Sequence, residues 1–121
     1  AALLMDDGDF RAAIAPLTEV VRLAPDDFEA HLALGLCYAQ QGFYAEAERA
    51  YARARAIQPD DLLLNYNLAA LYALWGKVRE SLEALRRALS VDPAKVRGWL
   101  QADPMFDGLK GLSDFEELAE A

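Results

Sequence analysis

The residues that could carry out chemistry in this sequence are few and stand apart from one another. His31 is the only histidine, and no serine or cysteine nucleophile is set up beside it. Acidic residues do occur in pairs, but neighbours along a helix point in different directions and cannot converge on one metal ion or substrate atom. These pairs are Asp26–Asp27, Asp60–Asp61 and Glu116–Glu117. The sequence therefore predicts neither a catalytic centre nor a metal site.

Cysteine and phosphate-binding motifs add no further chemistry. Cys37 is the only cysteine, so the chain cannot form an internal disulfide, and we interpret this residue as a small buried apolar side chain. Neither G-x-G-x-x-G nor G-x-x-x-x-G-K occurs, so no phosphate loop and no cofactor are expected.

Composition restricts the kinds of partner. The 121 residues fit one compact domain, and 20 acidic against 12 basic residues give a net charge of −8. Nucleic-acid backbones and anionic membrane surfaces attract basic patches, so this balance argues against both. It favours a basic or apolar partner only weakly, because an acidic surface commonly serves solubility alone. No apolar run approaches the length of a membrane span.

The sequence contains a repeat of 34 residues, which indicates how its helices are arranged. Pro25, Pro59 and Pro93 keep this step of 34, and so do Gly8, Gly42 and Gly76. Glycine permits the left-handed backbone that ends a helix, whereas proline cannot continue one. The pattern therefore predicts repeated pairs of helices, with a glycine turn inside each pair and a proline after it.

The stretch from Phe28 to Asp61 carries the fullest version of this repeat. Its marked positions are His31, Leu34, Gly35, Tyr38, Ala47, Tyr51 and Pro59. They fit W-x2-L-G-x2-Y followed by A-x3-F and P, with His31 in place of Trp and Tyr51 in place of Phe. This pattern resembles the tetratricopeptide repeat, a helix–turn–helix unit of 34 residues. The stretch from Leu62 to Lys95 matches more loosely, with Asn65, Ala69 and Leu85 at the Trp, Gly and Phe places.

The resemblance implies an all-α fold of tetratricopeptide-repeat hairpins stacked in a right-handed superhelix, an α-solenoid, because one unit cannot bury its apolar face alone. We expect a single domain over residues 1–121. It would contain a truncated first repeat (1–27), two full repeats (28–61 and 62–95) and a divergent C-terminal capping segment (96–121). The expected helices are 1–7 and 9–23 around a turn at Gly8, followed by 27–40, 44–57, 61–75 and 77–91.

After Pro93 the pattern changes. Residues 94–102 begin like another first helix, which Gly98 is expected to interrupt. Ser113 and Glu116 have the spacing of a capping box, which predicts a final helix over residues 114–120. The AD-P-x-F-x-x-L form resembles the closing segment of many bacterial tetratricopeptide chains. We expect this tail to pack on helix 77–91 and on the short helix after Pro93, and to bury Phe106, Leu109, Leu112 and Phe115.

The resemblance also implies where a partner would bind. In this family the first helix of each pair lines a concave surface that holds a peptide. The corresponding residues here are Glu29, Leu32, Leu36, Leu63, Tyr66, Asn67, Leu74 and Arg97. The leucines and Tyr66 would form an apolar floor flanked by charge, and exposed apolar patches of this kind mark binding sites. Alternatively, this floor is already filled by the chain's own tail or by a neighbouring copy.

One subclass of the family clamps a C-terminal carboxylate, and this sequence fits that subclass poorly. Leu32 and Leu36 stand at the places of its first Lys and first Asn, and Gln101 stands at a basic place. Only Asn67 and Arg97 match. We therefore expect apolar recognition rather than a carboxylate clamp.

The function implied is that of a protein–protein interaction scaffold or adaptor that binds a peptide or partner helix in the concave groove. The chain is not expected to be an enzyme, to bind nucleic acid or to insert into a membrane, and homo-oligomer formation is left open. Alternatives are an accessory or regulatory domain of a larger enzyme and a self-assembling module. Because the sequence begins without Met and within a repeat, we expect it to be a piece of a longer protein. Its abundant Arg, Ala and Leu are typical of a bacterial source. We expect a cytoplasmic location, or a periplasmic one if a signal or anchor has been removed.

Overall fold

Residues 7–120 are described by a computed structural model, and every regular element among them is a helix. The α-helices are α1 (Asp7–Leu23), α2 (Phe28–Gln40), α3 (Tyr44–Ile57), α4 (Leu62–Trp75), α5 (Val78–Val91), α6 (Pro93–Ala102) and α7 (Ser113–Glu120). A short 3₁₀ helix (Pro104–Leu109) lies between α6 and α7 in the chain. The all-α expectation is confirmed.

The chain divides into two compact units between Gln58 and Pro59. In the N-terminal unit, α1 packs on α2 and α2 packs on α3. In the C-terminal unit, α4 packs on α5 and α5 on α6, while α7 contacts both α5 and α6. Helices that follow one another in the chain are therefore also packing partners, as helical hairpins require.

Aspartate residues start the first helix of each full hairpin. The Asp27 carboxylate accepts a hydrogen bond from the Ala30 backbone N–H at 3.1 Å, and the Asp61 carboxylate accepts one from Leu64 at 3.0 Å. Each bond satisfies one of the backbone donors that a helix leaves free at its start. The repeated Pro-Asp-Asp sequence thus acts as a helix start signal in both places.

Glycine ends the same two helices, but two other glycines differ from the sequence-based prediction. Gly42 and Gly76 have φ of 81° and 80°, in the left-handed region that favours glycine. Gly8, in contrast, lies within the first turn of α1 rather than between helices, and residues 1–6 of the expected preceding helix lie outside the described residues. Gly98 does not interrupt α6, because one helical glycine costs only about 1 kcal/mol relative to alanine.

The Trp place of the repeat is taken by a side chain that bonds back to the preceding proline. The Nε2 atom of His31 lies 2.7 Å from the carbonyl oxygen of Pro25, so this nitrogen donates its proton. The amide of Asn65 donates to the carbonyl oxygen of Pro59 at 3.0 Å. Both residues are buried, and both bonds span six residues. A polar bond therefore fixes the loop before each first helix, where the family pattern has an indole ring.

Helices α2 and α3 come closest where Gly35 faces Tyr51. A Cβ atom built on Gly35 would lie 2.8 Å from Cζ of the Tyr51 ring and would overlap its Cδ1 and Cε1 atoms. Tyr51 is only 1% exposed, so the ring has little room to move away. The aromatic side chain at the Phe place therefore requires glycine opposite it.

Helices α4 and α5 approach through a hydrogen bond at the equivalent small residues. The Ser81 hydroxyl donates to the backbone carbonyl of Ala69 at 2.7 Å, and Ser81 is completely buried. A buried hydroxyl needs such a partner, because an unsatisfied polar group in the core costs free energy. Ala69 and Leu85 replace the Gly35 and Tyr51 pair, and the smaller leucine accommodates the alanine Cβ.

Substitution of Gly35 by alanine tests the close approach of α2 and α3. Gly35→Ala should lower the free energy of unfolding by about 1–3 kcal/mol, because overpacking against the buried ring outweighs the gain in helix propensity. Gly98→Ala is the matched control, since no side chain lies within 4 Å of a Cβ built there. It should stabilise the chain by up to about 1 kcal/mol. Urea denaturation followed by circular dichroism measures both, and equal effects would contradict the packing argument.

Candidate functional site

The predicted groove residues of the N-terminal unit lie in one row on α2. We call Glu29, Leu32 and Leu36 the inner row of α2. Their spacings of three and four residues place them on one helix face. Glu29 is exposed and Leu36 is half-buried, whereas Leu32 is only 7% exposed. A partner reaching this row would therefore meet one carboxylate and the edge of one leucine.

The predicted groove residues of the C-terminal unit lie mostly on α4. We call Leu63, Tyr66, Asn67 and Leu74 the inner row of α4. Leu63 and Asn67 are half-buried, and Leu74 is 43% exposed. Tyr66 is buried, with only 5% of its surface exposed. Within this row, Tyr66 is therefore inaccessible to a partner, whereas Leu74 at the end of the row is exposed to solvent.

Tyr66 is covered by residues that follow it in the same unit. Its ring meets the Trp99 ring edge-on at 4.8 Å between centroids and lies 5.5 Å from the Phe106 ring. Its hydroxyl donates a hydrogen bond to the Asp103 carboxylate at 2.6 Å. The 3₁₀ helix packs directly on α4. The open apolar floor expected at Tyr66 is therefore absent, since the chain's own residues occupy this position.

The electrostatics of this contact favour a donor at Tyr66. Burial, and then the hydrogen bond and negative charge of Asp103, raise the pKa of the Tyr66 hydroxyl far above its ordinary value. The phenol consequently keeps its proton at neutral pH and donates it to the carboxylate. Such charge-assisted hydrogen bonds are shorter and stronger than neutral ones.

The same carboxylate also organises the 3₁₀ helix. The second oxygen of Asp103 accepts a hydrogen bond from the Met105 backbone N–H at 3.0 Å. Asp103 therefore caps the 3₁₀ helix with one oxygen and contacts α4 with the other. This residue and Trp99 were missed as partners of Tyr66, although the AD-P-x-F-x-x-L form marks the segment.

Apolar anchors hold the remainder of the tail in place. Phe106, Leu109 and Phe115 are nearly completely buried, and the rings of Phe106 and Phe115 stack at 6.0 Å. Leu112, which was expected to be buried with them, is 42% exposed because it lies in the turn after Gly111. The predicted packing on α5 and α6 is confirmed for α7, while the 3₁₀ helix packs on α4 instead.

Arg97 lies on α6 and is engaged by α7. Its Nε donates to the backbone carbonyl of Leu118 at 3.2 Å. A shallow cavity of about 290 Å³ adjoins this contact, and Lys110 and Glu116 carry charge into its lining. Glu116 also accepts a hydrogen bond from the Gly111 N–H at 2.9 Å, which fixes the start of α7. One N–H of the Arg97 guanidinium group is thus bonded to the backbone of α7.

A metal site, a reactive thiol and a membrane span each make specific requirements of the described residues. No three His, Cys, Asp or Glu side chains among residues 10–120 are grouped to hold a metal ion. Cys37 is buried, and burial raises the pKa of its thiol, which disfavours the reactive thiolate. No helix in the described part of the chain is long and apolar enough to cross a membrane.

The helical hairpins define a helical-repeat protein, and comparison with known families identifies the repeat. Family models of the tetratricopeptide repeat match residues 1–62 and residues 63–95. The chain therefore belongs to the tetratricopeptide repeat family. Such repeats are scaffolds for protein–protein interaction and are typically non-catalytic.

Curated relatives share the repeats over a small part of their length. The chain is 32% identical over 83 residues to Superkiller protein 3 of Schizosaccharomyces pombe, which covers 69% of this chain and 6% of that protein. It is 38% identical over 56 residues to Protein O-mannosyl-transferase Tmtc3 of Drosophila melanogaster, which covers 46% of this chain and 6% of that protein. In each relative the aligned part spans about 6% of the whole protein.

The contact between Tyr66 and Asp103 can be measured by a double-mutant cycle. Tyr66→Phe removes the donor, and Asp103→Ala removes the acceptor together with the cap of the 3₁₀ helix. Each change should cost about 1–2 kcal/mol of unfolding free energy, because a hydrogen bond to a charged group is lost. The double variant should cost clearly less than the sum, since both changes remove the same bond.

Urea denaturation of the four proteins gives this coupling energy. Tyr38→Phe is the control, because it removes the same atom from a half-buried ring that contacts Phe43 instead of a carboxylate. It should change stability less than Tyr66→Phe does. Additive effects of the two main substitutions would contradict the role of this bond.

Proposed function

We propose that this chain is an interaction scaffold that binds a partner helix or an extended segment on the inner row of α2 or on that of α4. One observation carries the proposal: the inner row of α4 already holds a short peptide segment, which is the chain's own 3₁₀ helix. A surface that holds one segment through an aromatic pocket and a hydrogen bond has the properties needed to hold another.

The accessible residues of the two inner rows are mainly leucines, which favours a partner with apolar side chains as anchors. Leu36 on α2 and Leu74 on α4 are the more accessible leucines of the two inner rows. Glu29 adds a negative charge at the start of α2, which suits a basic group near one end of the partner. In such interfaces a few buried side chains supply much of the affinity.

A carboxylate clamp is the weaker alternative on the same surface. Its first two polar positions are taken by Leu32 and Leu36, and Arg97 donates to the backbone of Leu118. A ligand carboxylate would therefore find Asn67 on α4 and the remaining N–H groups of Arg97, which are two of the five polar positions of such a clamp. Two positions offer less compensation than five for the cost of desolvating a charged group.

The relative named as an O-mannosyl-transferase supports a second candidate function. If this chain is part of a longer protein, the repeats would serve as an accessory domain that brings a partner to an enzyme. The sequence of the intact gene product tests this directly, because an adjoining catalytic domain would be visible there. A cytoplasmic location and a bacterial source likewise remain proposals.

Substitution of Leu36 tests the proposed surface. Peptides are first selected on the whole chain from a displayed random library. Leu36→Glu should then weaken their binding at least about tenfold, because a charge replaces an apolar contact, which corresponds to about 1.4 kcal/mol. Leu23→Glu is the matched control, since Leu23 lies on α1 and is 70% exposed. Isothermal calorimetry measures the affinities, and circular dichroism checks that both variants remain helical.

The salt dependence distinguishes the two modes of recognition. Apolar anchors predict that raising the salt concentration from low to moderate weakens binding only slightly, because screening acts on exposed charges. The proposal is wrong if no peptide is enriched, and the inner row of α2 is excluded as the binding surface if Leu36→Glu and Leu23→Glu behave alike. Loss of binding in Asn67→Ala and Arg97→Ala, with Leu36→Glu unaffected, would establish the carboxylate clamp instead.

A further inference from the structure

The segment that covers Tyr66 is bounded by exposed chain on both sides. Gln101 and Ala102 are exposed before it, and Lys110 and Gly111 are exposed after it. Between these points only the anchors are deeply buried, namely Phe106 and Leu109. The segment is therefore attached to the rest of the unit through a few side chains, as a short bound peptide would be.

Its contacts with α4 combine one polar and one apolar group at a fixed spacing. The Asp103 carboxylate accepts the Tyr66 proton at 2.6 Å, and three residues later the Phe106 ring lies 5.5 Å from the Tyr66 ring. The Trp99 ring contacts the same tyrosine edge-on, at 4.8 Å between ring centroids. The segment therefore contacts Tyr66 through a carboxylate and, three residues later, an aromatic ring.

We infer that the α4 face around Tyr66 is a ligand site occupied in cis, and that a partner segment with the same chemistry competes for it. The partner would present an aspartate or glutamate followed three residues later by phenylalanine. This inference rests on the proposed binding function and specifies the partner for α4. Because the tail is tethered, it acts at an effective concentration on the order of millimolar, and an external segment must displace it.

A segment that occupies the site within the same chain lowers the affinity of the site for an external peptide. A site that is free for only a fraction of the time binds an external ligand with an affinity reduced by that fraction. Weakening the tail without altering Tyr66 or Trp99 should therefore raise the affinity for an external copy of the same segment. A tail that is simply part of the core would give no such gain.

A peptide of residues 101–110, QADPMFDGLK, is the probe for this site. The full chain carrying Asp103→Asn and Phe106→Ala keeps Tyr66 and Trp99 but weakens its own occupant. Fluorescence anisotropy of the labelled peptide should show binding to this variant at least about tenfold tighter than to the unaltered chain. The peptide QANPMADGLK, which lacks both recognition groups, should not bind. Leu112→Ala is the control variant, because Leu112 is 42% exposed within the same tail; it should behave as the unaltered chain.

Equal peptide affinities for the double variant and the unaltered chain would overturn the inference, as would absence of binding to a double variant that remains helical. Hydrogen exchange on the unaltered chain gives an independent test that needs no substitution. The amides of residues 105–109 should exchange through an opening that leaves α4 and α5 protected. If they exchange only when the whole unit unfolds, the segment is core and the inference is wrong.

These outcomes are separable from those of the Leu36 experiment. The Leu36 test uses library peptides and the N-terminal unit, whereas the tail test uses a defined peptide and Tyr66 of the C-terminal unit. Failure of the tail test with success at Leu36 removes only the α4 site. Failure at Leu36 with success of the tail test moves the binding function to α4.

Discussion

Each hairpin in this chain depends on the close approach of its two helices at one small residue. In the N-terminal unit the Tyr51 ring lies on Gly35, where no side chain could fit. In the C-terminal unit the Ser81 hydroxyl reaches the Ala69 carbonyl at 2.7 Å. The first solution uses ring packing and the second uses a buried hydrogen bond, yet both keep the helices near enough to bury their shared apolar faces. The separation of the two helices in each hairpin in turn sets where the other helices of that unit can pack.

At the Trp place of the repeat, the polar residues His31 and Asn65 hold the loop before each first helix. An indole would fill the space at the start of the first helix by volume alone. His31 and Asn65 instead bond to the carbonyl oxygens of Pro25 and Pro59, which satisfies backbone groups in the loop before each helix. The buried amide of Asn65 also accepts from Arg87 at 3.2 Å. Two different side chains thus reach the same carbonyl position, so the repeat tolerates the loss of its most characteristic residue.

The tail changes what the repeat surface can do. A row with an accessible tyrosine would accept many apolar segments, whereas this tyrosine is already hydrogen-bonded to Asp103, meets the Trp99 ring edge-on and contacts the Phe106 ring at a tilt. The carboxylate has two contacts at once, one to α4 and one to its own 3₁₀ helix. The segment that completes the C-terminal unit therefore also restricts access to the inner row of α4. The repeat fold alone does not show that access to α4 is restricted. This depends on which segment covers the surface, and function is decided by the site rather than by the fold.

The sequence by itself determined helices α2 to α5, the turns at Gly42 and Gly76, the aspartate caps and the family, because each follows from local backbone preferences repeated at a step of 34 residues. It also marked Phe106, Leu109 and Phe115 as tail anchors from their apolar spacing. Only the tertiary structure decided where those anchors lie. Asp103 and Tyr66 are 37 residues apart in the chain, and no local preference specifies a contact at that separation. Likewise, Gly98 stays helical and Leu112 is exposed, because packing of the whole segment, rather than the propensity of one residue, sets both outcomes.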